Sequence, residues 1–327
     1  MQTLPLAGRA RRGAPSQLRF ARLFADVTIE EAMSLIQIGK KAASEGAKPD
    51  LHYGTSMAPN NRAGFAKVAI GVTSGKGGVG KTTFAINLAV GLAQRGLKVG
   101  LLDADVYGPS VARMMLLQDE KVRWGEDKMI PAENFGVKVM STALTTPEDD
   151  TPLAWRSSVA TSALVQLLDE VEWGPLDVLV IDMPPGTGDV QITMVQEVRL
   201  TGAVVVTTPQ LVAVDDVRRA MRMLLDVKAP ILGVVENMSW YEASDGSRHT
   251  PFGEGGGALL AERYGAPLLG RFPLKDSVRA SCDDGMPAVA TGDDDDKARY
   301  RALVDAVLAR PEVRARLGDD RPVEESR

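Results

Sequence analysis

Apolar positions along the chain fall into two alternating periods. Short runs rich in β-branched residues recur at 68–72, 99–102, 176–181, 203–207 and 231–235, and a weaker one at 267–270. Between them apolar residues return at helical spacing. Phe84, Ile86, Leu88, Ala89 and Leu92 form the first such stripe, and further stripes cover 158–171, 214–226, 258–264 and 298–309. Strands apolar on both faces, separated by helices, predict a single α/β domain built on a mostly parallel, doubly wound sheet. Residues 129–142 hold two extended runs around Pro131 and Gly136 and predict a hairpin. No internal repeat is visible.

The first strand breaks into S-G-K-G-G-V-G-K-T-T (74–83) and the first helical stripe follows at once. Gly75, Gly80, Lys81 and Thr82 fit the G-x-x-x-x-G-K-[ST] pattern of a phosphate loop, in the strand-to-helix setting that pattern requires. Glycines let consecutive N–H groups turn inward, and the helix start adds its positive end. Lys81 is placed to reach β and γ phosphates, and the Thr82 hydroxyl to hold Mg2+. Gly77, Gly78, Val79 and Thr83 complete the cradle. Lys76 is a second lysine that an ordinary phosphate loop does not need; it is either a solvated loop cation or free to reach a nucleotide in a second subunit.

In open α/β sheets the ligand lies beyond the carboxyl ends of the strands. Asp182 ends one apolar run and is followed by Gly186 and Gly188; it reads as a carboxylate holding Mg2+ through water. Asp103 and Asp105 end another run, where Asp103 is a candidate metal residue and Asp105 can orient an attacking water. Asn237 follows the run 231–235, with an amide able to pair with a purine edge. Lys76, Lys81 and Asp105 are thus the candidate catalytic residues, and ATP with Mg2+ the expected ligands.

The segment G-K-G-G-V-G-K-T resembles the deviant phosphate loop of the SIMIBI ATPases, a resemblance that implies a nucleotide-sandwich homodimer reached by Lys76. D-A-D-V-Y-G-P-S (103–110), D-M-P-P-G-T-G-D (182–189), T-T-P-Q (207–210), V-E-N-M-S (235–239) and F-G-E-G-G (252–256) together resemble the Mrp/Nbp family of iron-sulfur cluster carrier ATPases. The likeness is nearest to the mitochondrial branch that serves complex I assembly. It implies two switch loops, at 103–110 and 182–189, slow ATP hydrolysis, iron-sulfur client proteins and a bridging 4Fe-4S cluster held by Cys-x-x-Cys after N-M-S. Here Ala243 and Gly246 occupy those cysteine positions. Neither supplies a thiolate, which the cluster requires. Asp245 and His249 nearby read as a solvated loop before they read as a metal site. The alternative function is therefore a nucleotide-dependent binding switch that no longer carries a cluster.

Composition narrows the setting. The chain has one cysteine, Cys282, so no intramolecular disulfide and no site of several cysteines is available within it. Residues 1–25 contain five arginines and no acidic residue, the signature of a mitochondrial transit peptide and hence of a matrix protein. Residues 26–66 read as a linker with one short helix over 28–43, 67–310 as the ATPase domain, and 311–327 as a flexible tail. The chain has 38 basic residues against 43 acidic, so the part beyond the arginine-rich leader is more acidic still. That balance argues against nucleic acid as a partner, and no apolar run is long enough for stable membrane insertion.

Overall fold

The computed structural model of the protein describes residues 60–145 and 157–318. The expected leader and the helix over 28–43 lie outside the described residues. Eight strands form one sheet: β1 (Ala66–Ser74), β2 (Val99–Asp103), β5 (Ala132–Asn134), β6 (Val137–Met140), β7 (Leu176–Asp182), β8 (Gly202–Thr207), β9 (Ile231–Glu236) and β12 (Leu268–Arg271). Their order is β12-β9-β8-β1-β7-β2-β6-β5. All neighbours are parallel except β5 and β6, the expected hairpin. Pairs of short strands, β3 (Arg123–Trp124) with β4 (Met129–Ile130) and β10 (Tyr241–Glu242) with β11 (Arg248–His249), lie outside this sheet.

Every residue of β2 and β8 is buried, and nearly every one of β1 and β7, so both faces of the sheet are covered. The helices sort into two packed groups that supply the cover. One group joins α1 (Lys81–Gln94), α2 (Val111–Met114), α7 (Asp276–Asp283), α8 (Ala288–Thr291) and α9 (Asp294–Leu308). The other pairs α3 (Ser157–Asp169) with α4 (Asp189–Glu197), and α5 (Leu211–Asp226) with α6 (Gly256–Tyr264). An aromatic knot of Phe84, Phe272 and Tyr300 fastens α1 and α9 to the segment after β12, with ring centroids 4.8–5.7 Å apart. The fold is the doubly wound α/β sheet that the apolar pattern predicts.

The run of acids ahead of α9 is partly inside it. Asp293 caps the helix by accepting from the Asp296 amide at 2.8 Å, and Asp294, Asp295 and Asp296 fill the first turn. There they meet the positive end of the helix dipole.

At its two ends the described chain is more ordered than the sequence suggests. The Asn60 and Arg62 amides donate to carbonyls at the end of α4, and the Arg62 guanidinium pairs with Glu197 and Asp169. Residues 60–65, expected as linker, are therefore docked on the domain. Residues 311–317, expected as flexible tail, form helix α10 (Pro311–Leu317). It starts with proline at its first position, ends on Gly318 and buries Val313 completely, packing against β1. Two apolar anchors one turn apart, Val313 and the partly buried Leu317, are too short a pattern to show in sequence.

Candidate nucleotide site

Strand register builds the site. Asp103 and Asp182 are directly paired across β2 and β7, and Val72 of β1 pairs with Asp182 on its other side. The tips of three adjacent strands thus carry the phosphate loop and both acidic segments to one edge of the sheet.

Around Asp182 the polar groups converge. The Lys81 ammonium lies 2.7 Å from Asp182 Oδ1 and 3.6 Å from Asp105 Oδ2. The Thr82 hydroxyl donates to Asp182 Oδ2 at 2.7 Å, and Ser110 Oγ is 3.5 Å from Thr82 Oγ1. Lys81, Asp103 and Asp182 are all buried, and burial pushes all three carboxyl groups above their ordinary range. Asp103 rises to about 7, driven by desolvation first and by the Asp182 charge second. Lys81 opposes the rise at all three carboxylates.

Asp103, read from sequence as a metal residue, does not join this convergence directly. Its Oδ2 accepts from Ser141 Oγ at 2.9 Å and from the Val111 amide, and its Oδ1 from the Asp105 amide. It holds the loop between β2 and α2 in place. Asn237 is likewise occupied: its amide donates to Val79 O at 2.9 Å and so clasps the phosphate loop from the β9 side.

The loop glycines answer two different demands. Gly80 has φ +92°, in the left-handed region, and a Cβ there would stand 2.4 Å from Asn237 Nδ2. Gly75 lies backbone against backbone on α5, where a Cβ would fall 2.2 Å from the Val217 nitrogen. Gly77 and Gly78 face open space, with nothing within 4 Å of a Cβ. Lys76 projects from the same turn, and its carbonyl accepts from Ser74 Oγ. An open, glycine-lined cradle flanked by a lysine, a threonine hydroxyl and carboxylate oxygens fits a triphosphate with Mg2+, since that ion takes oxygen ligands.

Sequence reasoning missed two buried polar side chains that tie loops at this edge of the sheet. Gln191 of α4 donates to Thr73 Oγ1 at 2.7 Å, and the Gly186 amide donates to Ser74 O, so the 182–189 loop is tied to the root of the phosphate loop. Glu236, fully buried, accepts from Ser239 Oγ, the Gly257 amide and Arg271 Nε. A buried acid at the end of an apolar strand is the signal for it.

The β10–β11 hairpin occupies the stretch after Asn237. Ala243 and Gly246 form its turn, the Ala243 amide donating to Ser247 O and the Gly246 amide to Ala243 O. Gly246 sits at φ +82°, where a side chain would be strained. Asp245 and His249 are exposed and linked through the Ser247 hydroxyl. This turn offers no sulfur and does not fit an iron-sulfur cluster. The cysteine Cys282 lies elsewhere, half-buried on α7 with Sγ 3.6 Å from Thr83 Oγ1. Burial raises its thiol above the usual range.

Comparison with known proteins decides the lineage. Residues 66–308 match the ParA family profile described as NUBPL iron-transfer P-loop NTPase. The chain belongs to that family. Among relatives of this NTPase family, the iron-sulfur cluster carrier protein of Aquifex aeolicus is 48% identical over 245 residues, 74% of this chain and 67% of that protein. A protein of Arabidopsis thaliana named "iron-sulfur protein required for NADH dehydrogenase, mitochondrial" is 50% identical over 228 residues, 69% of this chain and 72% of its own. Among solved structures, the nucleotide-binding protein of Archaeoglobus fulgidus in complex with ADP superposes with a TM-score of 0.61 at 37% identity, covering 68% of this chain and 88% of that one. The family assignment agrees with the resemblance read from the motifs. Among the described residues no helix is long and apolar enough to cross a membrane.

Proposed function

We propose that this protein is a Mg-ATP-dependent assembly factor that carries iron-sulfur clusters to client proteins of the mitochondrial matrix, respiratory complex I among them. The observation that carries the nucleotide half is the meeting of Lys81 and Thr82 on Asp182 at the sheet edge, with Asp105 beside the same ammonium. The Archaeoglobus relative was solved with ADP, and the Arabidopsis relative bears its mitochondrial NADH dehydrogenase role in its name.

In this reading the amides of 75–83 and the Lys81 ammonium neutralise the phosphates. Thr82 and Asp182 hold Mg2+, which when bound screens phosphate charge. Asp105 orients the attacking water, and Asp103 keeps the 103–111 loop in register so that Asp105 stays there. Asn237, by fixing Val79, shapes the base end of the cradle. Lys76 reaches the nucleotide of a second copy, making the working form a homodimer. Most of the catalytic effect is positioning and charge neutralisation, which suits slow turnover.

A second reading has one observation in its favour: the hairpin turn at Ala243 and Gly246 holds no thiol. There the protein is a nucleotide-driven docking switch without a cluster. Purified protein assayed for ATP binding, turnover and ATP-dependent dimerisation tests the first half. Lys81→Ala is expected to lose binding and turnover, and Lys76→Ala to lose dimerisation and turnover with binding retained. A parent protein that neither binds nor hydrolyses ATP overturns the reading. Anaerobic reconstitution with iron and sulfide decides between carrier and switch: cluster absorbance that co-purifies with the dimer supports the carrier, and none supports the switch.

A further inference from the structure

One outward stripe of α5 is set apart from the rest of this acidic protein. Positions 211, 215, 218, 222 and 226 follow one another at helical spacing and carry Leu211, Asp215, Arg218, Arg222 and Asp226. Arg219 stands beside them, and Arg263, in the last turn of α6, faces the same hollow. The hollow is a groove of about 700 Å³ between α4, α5 and α6. Four arginines against two aspartates line it, in a chain whose formal net charge is −5. We propose that this groove docks an acidic segment of a partner protein.

The charges are available for exchange. Arg218 pairs with Asp215, Arg219 with the half-buried Asp216 and Arg222 with Asp226, all within one helix; the Arg222 side chain is 75% exposed. Exposed intrahelical pairs are weak and give way at little cost to carboxylates presented by a partner. Arg263 has no ion-pair partner among the described residues. A guanidinium takes a carboxylate through two parallel hydrogen bonds, so such a row reads carboxylate spacing as well as charge.

The apolar part of the groove argues for a polypeptide. Met223 and the half-buried Ile192 and Tyr264 form its floor, and the Tyr264 hydroxyl donates to Arg218 O, which fixes that wall. Leu211, 70% exposed, offers an apolar anchor at the end of the stripe nearer the phosphate loop. A nucleic-acid backbone carries no aliphatic side chain to cover Met223 and Ile192, whereas a polypeptide does. An acidic segment with an occasional large apolar side chain satisfies both the row and the floor.

The location gives the groove a use. Thr187 of the 182–189 loop lines one end, and the inner face of α5 rests on Gly75 of the phosphate loop with no room for a methyl group. One helix therefore touches the nucleotide cradle on its inner side and the docking groove on its outer side.

The test is fluorescence anisotropy on the full chain without nucleotide, so that it stands or falls apart from ATP turnover. The probes are a fluorescein-labelled peptide of alternating glutamate and leucine, the same peptide with lysine for glutamate, and a labelled single-stranded oligonucleotide of equal negative charge. The parent is expected to bind the acidic peptide saturably and to release it as salt rises. R219E/R222E, and separately R263E, are expected to weaken it about tenfold or more. R301E, on the exposed side of α9 in the other helix group, is expected to bind like the parent, and thermal unfolding midpoints should match throughout. Absence of saturable binding by the parent, unchanged affinity in both groove variants, or equal binding of the oligonucleotide with the same dependence on the arginines overturns the proposal. So does a groove variant whose main effect is loss of self-association, because the groove is then an interface between copies.

Discussion

Removing the cation from Lys81 should destabilise the empty protein, quite apart from any effect on ATP. Its ammonium is the positive group among Asp182, Asp105 and Asp103, two of them almost wholly buried, and it sits 2.7 Å from a carboxylate that is 0% exposed. Lys81→Met keeps most of the stem and deletes the charge, leaving those carboxylates to face one another. Breaking a buried pair by removing one partner costs about 3–5 kcal/mol, because the survivor remains desolvated and uncompensated. In a domain of this size that is a drop of about 6–20 °C in the unfolding midpoint. The assay is thermal unfolding of nucleotide-free protein followed by circular dichroism, run beside Asp182→Asn and the double variant. The double variant should recover much of the loss, since the amide removes the uncompensated charge while still accepting from Thr82. A Lys81→Met protein that melts where the parent does, or a double variant that is merely the sum of the two singles, would refute this reasoning.

Gly75→Ala should abolish ATP binding and lower stability by about 1–3 kcal/mol, because its methyl group meets the backbone of Val217, which has no rotamer to yield; isothermal titration with ATP and urea unfolding measure the two effects. Truncation after Ala309 removes the buried Val313 and should cost about 1.5–3 kcal/mol, read as a lower urea midpoint, while ATP turnover persists because α10 supplies none of the groups that converge on Asp182. Asp177 accepts from Lys67 Nζ at 2.8 Å and from the Lys98 amide at 2.9 Å, and these bonds hold its carboxyl below the ordinary value of 3.8. Its contribution is therefore present above that value and lost as pH falls through the depressed one, so Asp177→Asn should lower the urea midpoint at neutral pH and converge with the parent in strong acid.

The mostly parallel sheet and the site edge were legible because they rest on features that sequence carries locally. Apolar runs ending in aspartate mark buried strands with polar tips, and a phosphate loop needs its glycines at fixed spacing. Less legible were the reasons behind several motif residues. F-G-E-G-G reads as a loop, yet a Cβ at Gly256 would lie 2.3 Å from Pro209 O and one at Gly257 2.7 Å from Glu236 Cβ, so this pair is a packing seam between α6 and the ends of β8 and β9. Asp103 resembles a second metal carboxylate until Ser141, 38 residues away, is seen to occupy it. Helix α4 follows a loop of Pro and Gly, and its short stripe of Val190, Met194 and Val195 is masked by Gln191, whose amide is spent on Thr73. Each of these depends on a partner distant in sequence, and no local pattern announces such a partner.

Cys282 on α7 carries a practical consequence. It is the only thiol in the chain and its sulfur rests against the hydroxyl of Thr83, the last residue of the phosphate loop. A small environment-sensitive dye attached there would stand at the threshold of the cradle without any engineered residue. Filling and emptying of the cradle would then be visible as an optical signal from the natural chain.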